Sequence, residues 1–195
     1  MAEELEIIPA FGWHEGFYPK INHFKKLVDN VIKNPKLFQS QKAKSILNEN
    51  NVNSLKLWGL AFNLIREENK SVFVANLGKN IFSDDCGTDP YLEEKVTICL
   101  LNDVLFINPC RVPSWYFFFY EFKQLEFTKD ELLQSLSIWV KNSFPQVKVP
   151  QKAIKKDVEC IIKMYTENIP DNPFLDLGAI LDMGDYYKSD TRIWI

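Results

Sequence analysis

Residues 11–20, FGWHEGFYPK, set His14 and Glu15 side by side among aromatic rings, with Lys20 at the end of the stretch. An imidazole exchanges protons near neutral pH, and an adjacent carboxylate can orient it or help to hold a divalent cation. Three readings follow: a catalytic pair, a metal-ligand pair, or a polar pin inside an aromatic cluster. A zincin site needs His-Glu-x-x-His, two histidines one helical turn apart. Tyr18 stands where the second histidine belongs, and the other histidine, His23, lies nine positions beyond His14. Two histidines and scattered cysteines give no expected metal ligand set.

A second acidic group lies in DPYLEEK, residues 89–95. Asp89, Glu93 and Lys95 follow the order of acids and lysine that magnesium-dependent nucleases use, but those residues belong on strands. Asp89 before Pro90 reads more simply as the cap of a helix running to about Phe106. Glu93 and Glu94 then fall in its first turn, where the macrodipole favours negative charge. No P-loop, dinucleotide fingerprint or G-x-S-x-G elbow is present. Cys86, Cys99, Cys110 and Cys160 form no C-x-x-C pair. Cys99 and Cys160 fall on apolar faces and read as core, and the thiols are expected to be reduced in a cytoplasmic protein.

The elements that must position these groups are mostly helices. Phe24, Leu27, Val28, Val31 and Ile32 recur at i, i+3, i+4, i+7 and i+8, which predicts an amphipathic helix over 22–33. A short helix is expected at 40–47, then a turn at NENN. A longer helix near 50–65 follows, carrying Val52, Leu55, Trp58, Phe62 and Ile65 on one stripe. REENK reads as a turn, SVFVA alternates like a strand, and NLGKNIF returns to a helix. Helix, turn, helix and strand in that order predict a winged helix-turn-helix with a short β-wing over 40–82. The expected organisation is mainly α: a winged-helix lobe, residues 1–82, and an α-helical lobe, residues 83–195. In the second lobe Thr128 and Glu131 form a capping-box pattern, with Phe127 and Leu132 as its staple. Ile154, Val158, Ile161, Ile162 and Tyr165 share one helical face, with Lys152, Lys155, Lys156 and Lys163 opposite. The aromatic run VPSWYFFFYEF is expected to be buried.

The charge is unevenly spread. Seven lysines between Lys20 and Lys44 face one acid, Asp29, whereas Asp84, Asp85, Asp89, Glu93 and Glu94 crowd into eleven residues, at a net charge of −3. Such a division fits contact with a polyanion on one side only, and equally fits solvated helix faces. No apolar run approaches the roughly 20 residues of a membrane span, and no secretory leader is expected in MAEELEIIPAF.

Several motifs occur in a fixed order. Phe11, His14, Glu15, Phe17 and Lys20 match F-x-x-H-E-x-F-x-x-R, with lysine for the arginine. Glu49, Asn50, Asn53, Lys56 and Trp58 stand where K-N-x-x-R-x-x-R-x-W would run. Asp89-Pro90-Tyr91-Leu92-Glu93 follows, then Trp115 with Phe119, Glu121 and Phe122, then Phe127-Thr128 with Glu131-Leu132, then KKDVECIIKMY. In these motifs the chain resembles the domain of unknown function 4007 family of bacterial DNA phosphorothioation and related defence clusters, from about residue 11 to 180. The resemblance implies a cytoplasmic DNA-binding component of a phosphorothioation-linked anti-phage system, with DNA and other proteins of that cluster as partners. It implies DNA contacts from Lys20, Asn50, Asn53 and Lys56, and the lysine-rich segment adds Lys25 and Lys26 as expected contacts. A metal-dependent DNA nickase is the alternative, with His14 and Glu15 catalytic and Mg2+ as cofactor. A protein-interaction adaptor that has lost DNA contact is another. The departures bear on the first reading, because lysine keeps the charge of arginine but not its bidentate grip on phosphate.

Overall fold

A computed structural model describes residues 9–47, 52–107, 111–169 and 171–189. The chain is mainly helical, with two small antiparallel sheets. Helix α1 (Ile21–Lys33) buries Phe24, Leu27, Val28 and Val31, as their spacing requires. Ile32, expected on the same stripe, is instead 54% exposed. Helices α2 (Ala43–Leu47) and α3 (Val52–Ala61) follow, and the intervening NENN turn falls outside the described residues. Val52, Leu55, Trp58, Phe62 and Ile65 are all buried.

Helix α3 ends four residues before the expected position. Asn63 takes a left-handed φ of 53°. The Leu64 N–H then donates to Gly59 O at 2.9 Å, and that of Asn63 to Leu60 O at 3.2 Å. This wraps the last carbonyls in a Schellman-type stop, which asparagine tolerates. Ile65 therefore opens strand β1 (Ile65–Glu68), paired with β2 (Ser71–Val74) in the register Ile65↔Val74 to Glu68↔Ser71. Most of REENK is thus strand. The turn is only Asn69–Lys70, with φ of 50° and 64°, the left-handed pair that matches the strands' own twist. Helix α4 (Asn76–Phe82) comes next.

The helix expected from Pro90 starts later, as α5 (Lys95–Ile107). Leu92 has a φ of 54°, which no α-helix accommodates. Asp89 still gathers backbone donors. Its Oδ1 accepts from Glu93 N at 2.8 Å and its Oδ2 from Glu94 N at 3.1 Å, just ahead of the helix. Helix α6 (Pro113–Tyr116) widens into a π-turn over Phe117–Glu121, closed by Phe122 N–H donating to Phe117 O at 2.9 Å. Helix α7 (Lys129–Ser143) carries the expected capping box of Thr128 and Glu131. Helix α8 (Gln151–Thr166) buries the expected apolar face. A three-stranded sheet completes the described part, with β3 (Glu126–Phe127) and β4 (Ile180–Asp182) on either side of β5 (Tyr187–Ser189). It was not foreseen, because strands of two and three residues give no alternation to read.

Residues from both sides of position 82 build the larger core, in which Phe24, Trp58, Phe62 and Phe82 join Trp115, Tyr165 and Phe174. Phe62 stacks on Phe174 with ring centres 5.6 Å apart, and Trp58 meets Trp115 edge-on at 5.1 Å. A smaller core under α1, α2, α3 and the β1–β2 hairpin contains Leu27, Val31, Leu37, Leu47, Leu55 and Val72. These contacts bring the N-terminal loop, α3, α6 and α8 to a common point.

Candidate functional site

The loop before α1 is held in place by a buried carboxylate. Asp157 sits in the apolar stripe of α8, one residue before Val158, and is 1% exposed. Its Oδ1 accepts from the Gly12 N–H at 2.7 Å and from His14 Nε2 at 2.7 Å, and its Oδ2 accepts from Ser114 Oγ at 2.6 Å. The Gly16 N–H donates to His14 Nδ1 at 3.0 Å. Only an unprotonated nitrogen can accept that bond, so the ring proton resides on Nε2 and points at Asp157. Both nitrogens of His14 are occupied, and its ring packs edge-on against Trp115 at 5.5 Å and beside Trp58 at 6.1 Å. In this conformation His14 offers no lone pair to a substrate or a metal. Trp58 fixes the far end of the loop by donating from Nε1 to Phe17 O at 2.7 Å.

The backbone between these anchors is tightly turned. Gly12 and Gly16 have φ of 70° and 84°, and Glu15, a non-glycine, has 54°. A β-carbon on Gly12 would also come within 3.0 Å of Ala153 on α8. Left-handed non-glycine backbone costs about 1 kcal/mol or more and persists only where surrounding contacts impose it. The result is alternation: His14 points into the core, whereas Trp13 and Glu15 point outward, Trp13 being 59% exposed.

Trp13 and Glu15 form one wall of a cleft of about 570 Å³. Asn53, Lys56 and Leu60 of α3 form another, with Glu67 of the hairpin, Arg111 ahead of α6 and Lys156 of α8 around the rim. A neighbouring depression of about 440 Å³ shares Glu15 and Asn53 and reaches Lys44. Lys56 binds Glu67 at 2.6 Å. Arg111 and Lys156, by contrast, have no acid partner among the described residues. Unpaired guanidinium and ammonium groups on one concave wall favour an anionic ligand.

The sites expected from sequence separate in space. Glu15, Asn53 and Lys56 line the cleft, His14 lies beneath its wall, and Asn50 falls outside the described residues. Lys20, Lys25 and Lys26 do not line it. Lys25 is held at 2.8 Å by Asp29 and at 2.5 Å by Asp84. The hydrogen bond from Lys25, together with its charge, holds the Asp84 carboxyl below the usual range. Much of the charge expected at that point of the basic lobe is therefore neutralised. Sequence reasoning missed Asp157, Ser114 and Arg111. An aspartate at i+3 from Ile154 and i−4 from Ile161 was the available signal for Asp157, since it breaks an otherwise apolar stripe.

Among the described residues no three His, Cys, Asp or Glu side chains converge to hold a metal ion. Glu15 and Glu67 are the acids of the cleft, and Glu67 is engaged by Lys56. Both oxygens of Asp89 are occupied by backbone N–H groups. Burial raises the Cys160 thiol well above its ordinary range and leaves it inert. No helix among the described residues is long and apolar enough to cross a membrane.

The model of a family described as "Protein of unknown function (DUF4007)" matches residues 11–189. An SspB crystal structure is similar over 93% of this chain, with 28% identity and a TM-score of 0.83. A magnesium ion-bound SspB crystal structure is similar over the same share, with 28% identity and a TM-score of 0.81. The chain spans 59% and 60% of the length of those two proteins. No curated protein matches it.

Proposed function

The chain belongs to the DUF4007 family, and from that premise we propose that it is a cytoplasmic DNA-binding component of a bacterial phosphorothioation-linked anti-phage defence system. Its likeness to SspB, the motif resemblance and the cation-lined cleft support this reading. The observation that carries it is the pair Arg111 and Lys156, which have no acid partner among the described residues and line the cleft together with Asn53 and Lys56. We read α2, α3 and the β1–β2 hairpin as the helices and wing of a winged helix-turn-helix. Seven of the ten residues of α3 are buried, however. A recognition helix reads bases through three or four protruding side chains. On α3 the exposed edge offers Asn53, Lys56 and Leu60. Binding is therefore dominated by phosphate contact and is weakly dependent on sequence. Other proteins of the same defence system are the proposed partners, and no cleavage step is assigned to this chain.

The test is duplex binding as a function of salt. Each phosphate neutralised contributes about −0.9 to the slope of log K against log salt concentration. Arg111→Ala and Lys156→Ala should each reduce that slope by roughly one and weaken binding to unrelated duplexes equally. A protein that shifts neither duplex nor single-stranded DNA in low salt is an adaptor and not a DNA binder, and a slope untouched by both changes would put the DNA contact outside the cleft.

A further inference from the structure

We propose that the cleft takes a single unstacked nucleotide of DNA, with the base lying on the Trp13 ring and its flanking phosphates held by Arg111 and Lys156. The proposal rests on the DNA-binding reading above and names the form of DNA that the site selects. Its starting point is Trp13, which is 59% exposed while Trp58 and Trp115, its neighbours in the same region, are each 1% exposed. An exposed tryptophan is ordinarily removed from water by a small change in a loop. Here the loop is fixed from beneath at three points, by Asp157 through Gly12 and His14 and by Trp58 through Phe17. The left-handed backbone at Glu15, a non-glycine, adds strain that this anchoring sustains. Trp13 is thus presented by a rigid support at a cavity wall.

Size and charge narrow the occupant. A cleft of about 570 Å³ lies within the roughly 300–1,000 Å³ of small-ligand sites. A double helix is too wide to enter it. A base paired within a duplex also shows only its edges, so its face becomes available to a side chain only when the nucleotide is single-stranded or extruded. Aromatic side chains bind such faces irrespective of sequence, and cations beside them take the phosphates. That combination is present here: an exposed indole, two cations without acid partners among the described residues, and Asn53 as a hydrogen-bonding group in the same lining. A purely acidic or purely apolar ligand would leave one half of this lining unmatched.

The experiment compares a labelled oligothymidylate with the corresponding duplex in low salt, using wild type, Trp13→Ala and Trp13→Phe. Circular dichroism confirms that each variant is folded. Wild type should prefer the single strand. Trp13→Ala should lose roughly tenfold to a hundredfold of its single-strand affinity, as removal of one stacking platform does, and so lose the preference. Trp13→Phe should retain most of it. Quenching of tryptophan emission by the bound strand should shrink in both variants. A single-strand preference that is absent in wild type, or unchanged in Trp13→Ala, overturns the nucleotide proposal while duplex binding still upholds the DNA reading. Failure of wild type to bind either form overturns both.

Discussion

Replacing Asp157 by alanine should be among the most destabilising single changes in this chain. The carboxylate is 1% exposed and accepts three hydrogen bonds, from Gly12 N, His14 Nε2 and Ser114 Oγ. Alanine leaves all three donors without their acceptor, two of them on the buried His14 and Ser114 side chains. Each unsatisfied buried donor costs about 1–3 kcal/mol, and partial relaxation of the loop recovers some of it. The expected loss is about 3–5 kcal/mol, a large share of the roughly 5–15 kcal/mol that holds a domain together. Asparagine provides a graded control. Its oxygen can still accept from Gly12 and His14, and its amide can donate to a rotated Ser114 hydroxyl. Only the charge assistance is lost, so Asp157→Asn should cost about 1–2 kcal/mol. Urea unfolding followed by far-ultraviolet circular dichroism measures both, with melting temperature falling roughly 2–4 °C per kcal/mol for a chain of this size. An alanine variant within 1 kcal/mol of wild type would refute the reasoning. An asparagine variant as unstable as alanine would show that charge, not hydrogen-bond satisfaction, holds the loop.

Three further changes probe the separate roles assigned above. Glu15→Gln removes a negative charge from a cleft proposed to bind DNA, so it should leave stability within about 0.5 kcal/mol and raise duplex affinity by a few fold in gel shift; a fall in affinity would show that the carboxylate contacts the ligand. Asp89→Ala frees the Glu93 and Glu94 N–H groups and should cost about 2 kcal/mol in urea unfolding with DNA binding intact; lost binding in a folded variant would place Asp89 in the site. Thr128→Ala breaks the capping box and should lower the melting temperature by roughly 2–4 °C at pH 7. Hydrogen bonds from the Thr128 backbone and side chain hold the Glu131 carboxyl below its ordinary value of 4.5. Its contribution is therefore complete above pH 4.5 and fades as pH falls through the depressed value. The difference between Thr128→Ala and wild type should narrow on acidification, and a difference that widens would contradict the assignment.

What could be read from the sequence was whatever repeats with the period of a helix. The stripes of α1, α3 and α8 are local, and their apolar faces are buried largely as spacing requires. Element ends were less legible because single residues decide them. Nothing in the stripe Val52 to Ile65 announces that Asn63 will turn left-handed, and Leu92 is a residue that usually avoids the φ of 54° it adopts. Charge was legible as composition but not as availability. Lys25 belongs to a lysine-rich segment, yet one of its two acid partners, Asp84, lies 59 positions away. The cleft cations Arg111 and Lys156 come from segments that showed no common pattern. Their meeting depends on how α6 and α8 pack against the N-terminal loop, which no local window contains.

The pair His14–Glu15 shows why residue type alone could not choose between catalysis and structure. Both readings invoke the same two side chains, and adjacency makes them look like one functional unit. In a loop with left-handed residues at 12, 15 and 16, adjacent side chains are sent in different directions. His14 goes to the buried Asp157, where both its nitrogens are consumed, and Glu15 goes to the cleft. The histidine thus acts on the cleft only through the backbone it anchors, as does the aspartate beneath it. Trp13 and Glu15 inherit their placement from a hydrogen-bond set that touches neither of them. The stability of the loop and the shape of the cleft wall are therefore one property, controlled from α8 at a distance of 143 positions in sequence from His14.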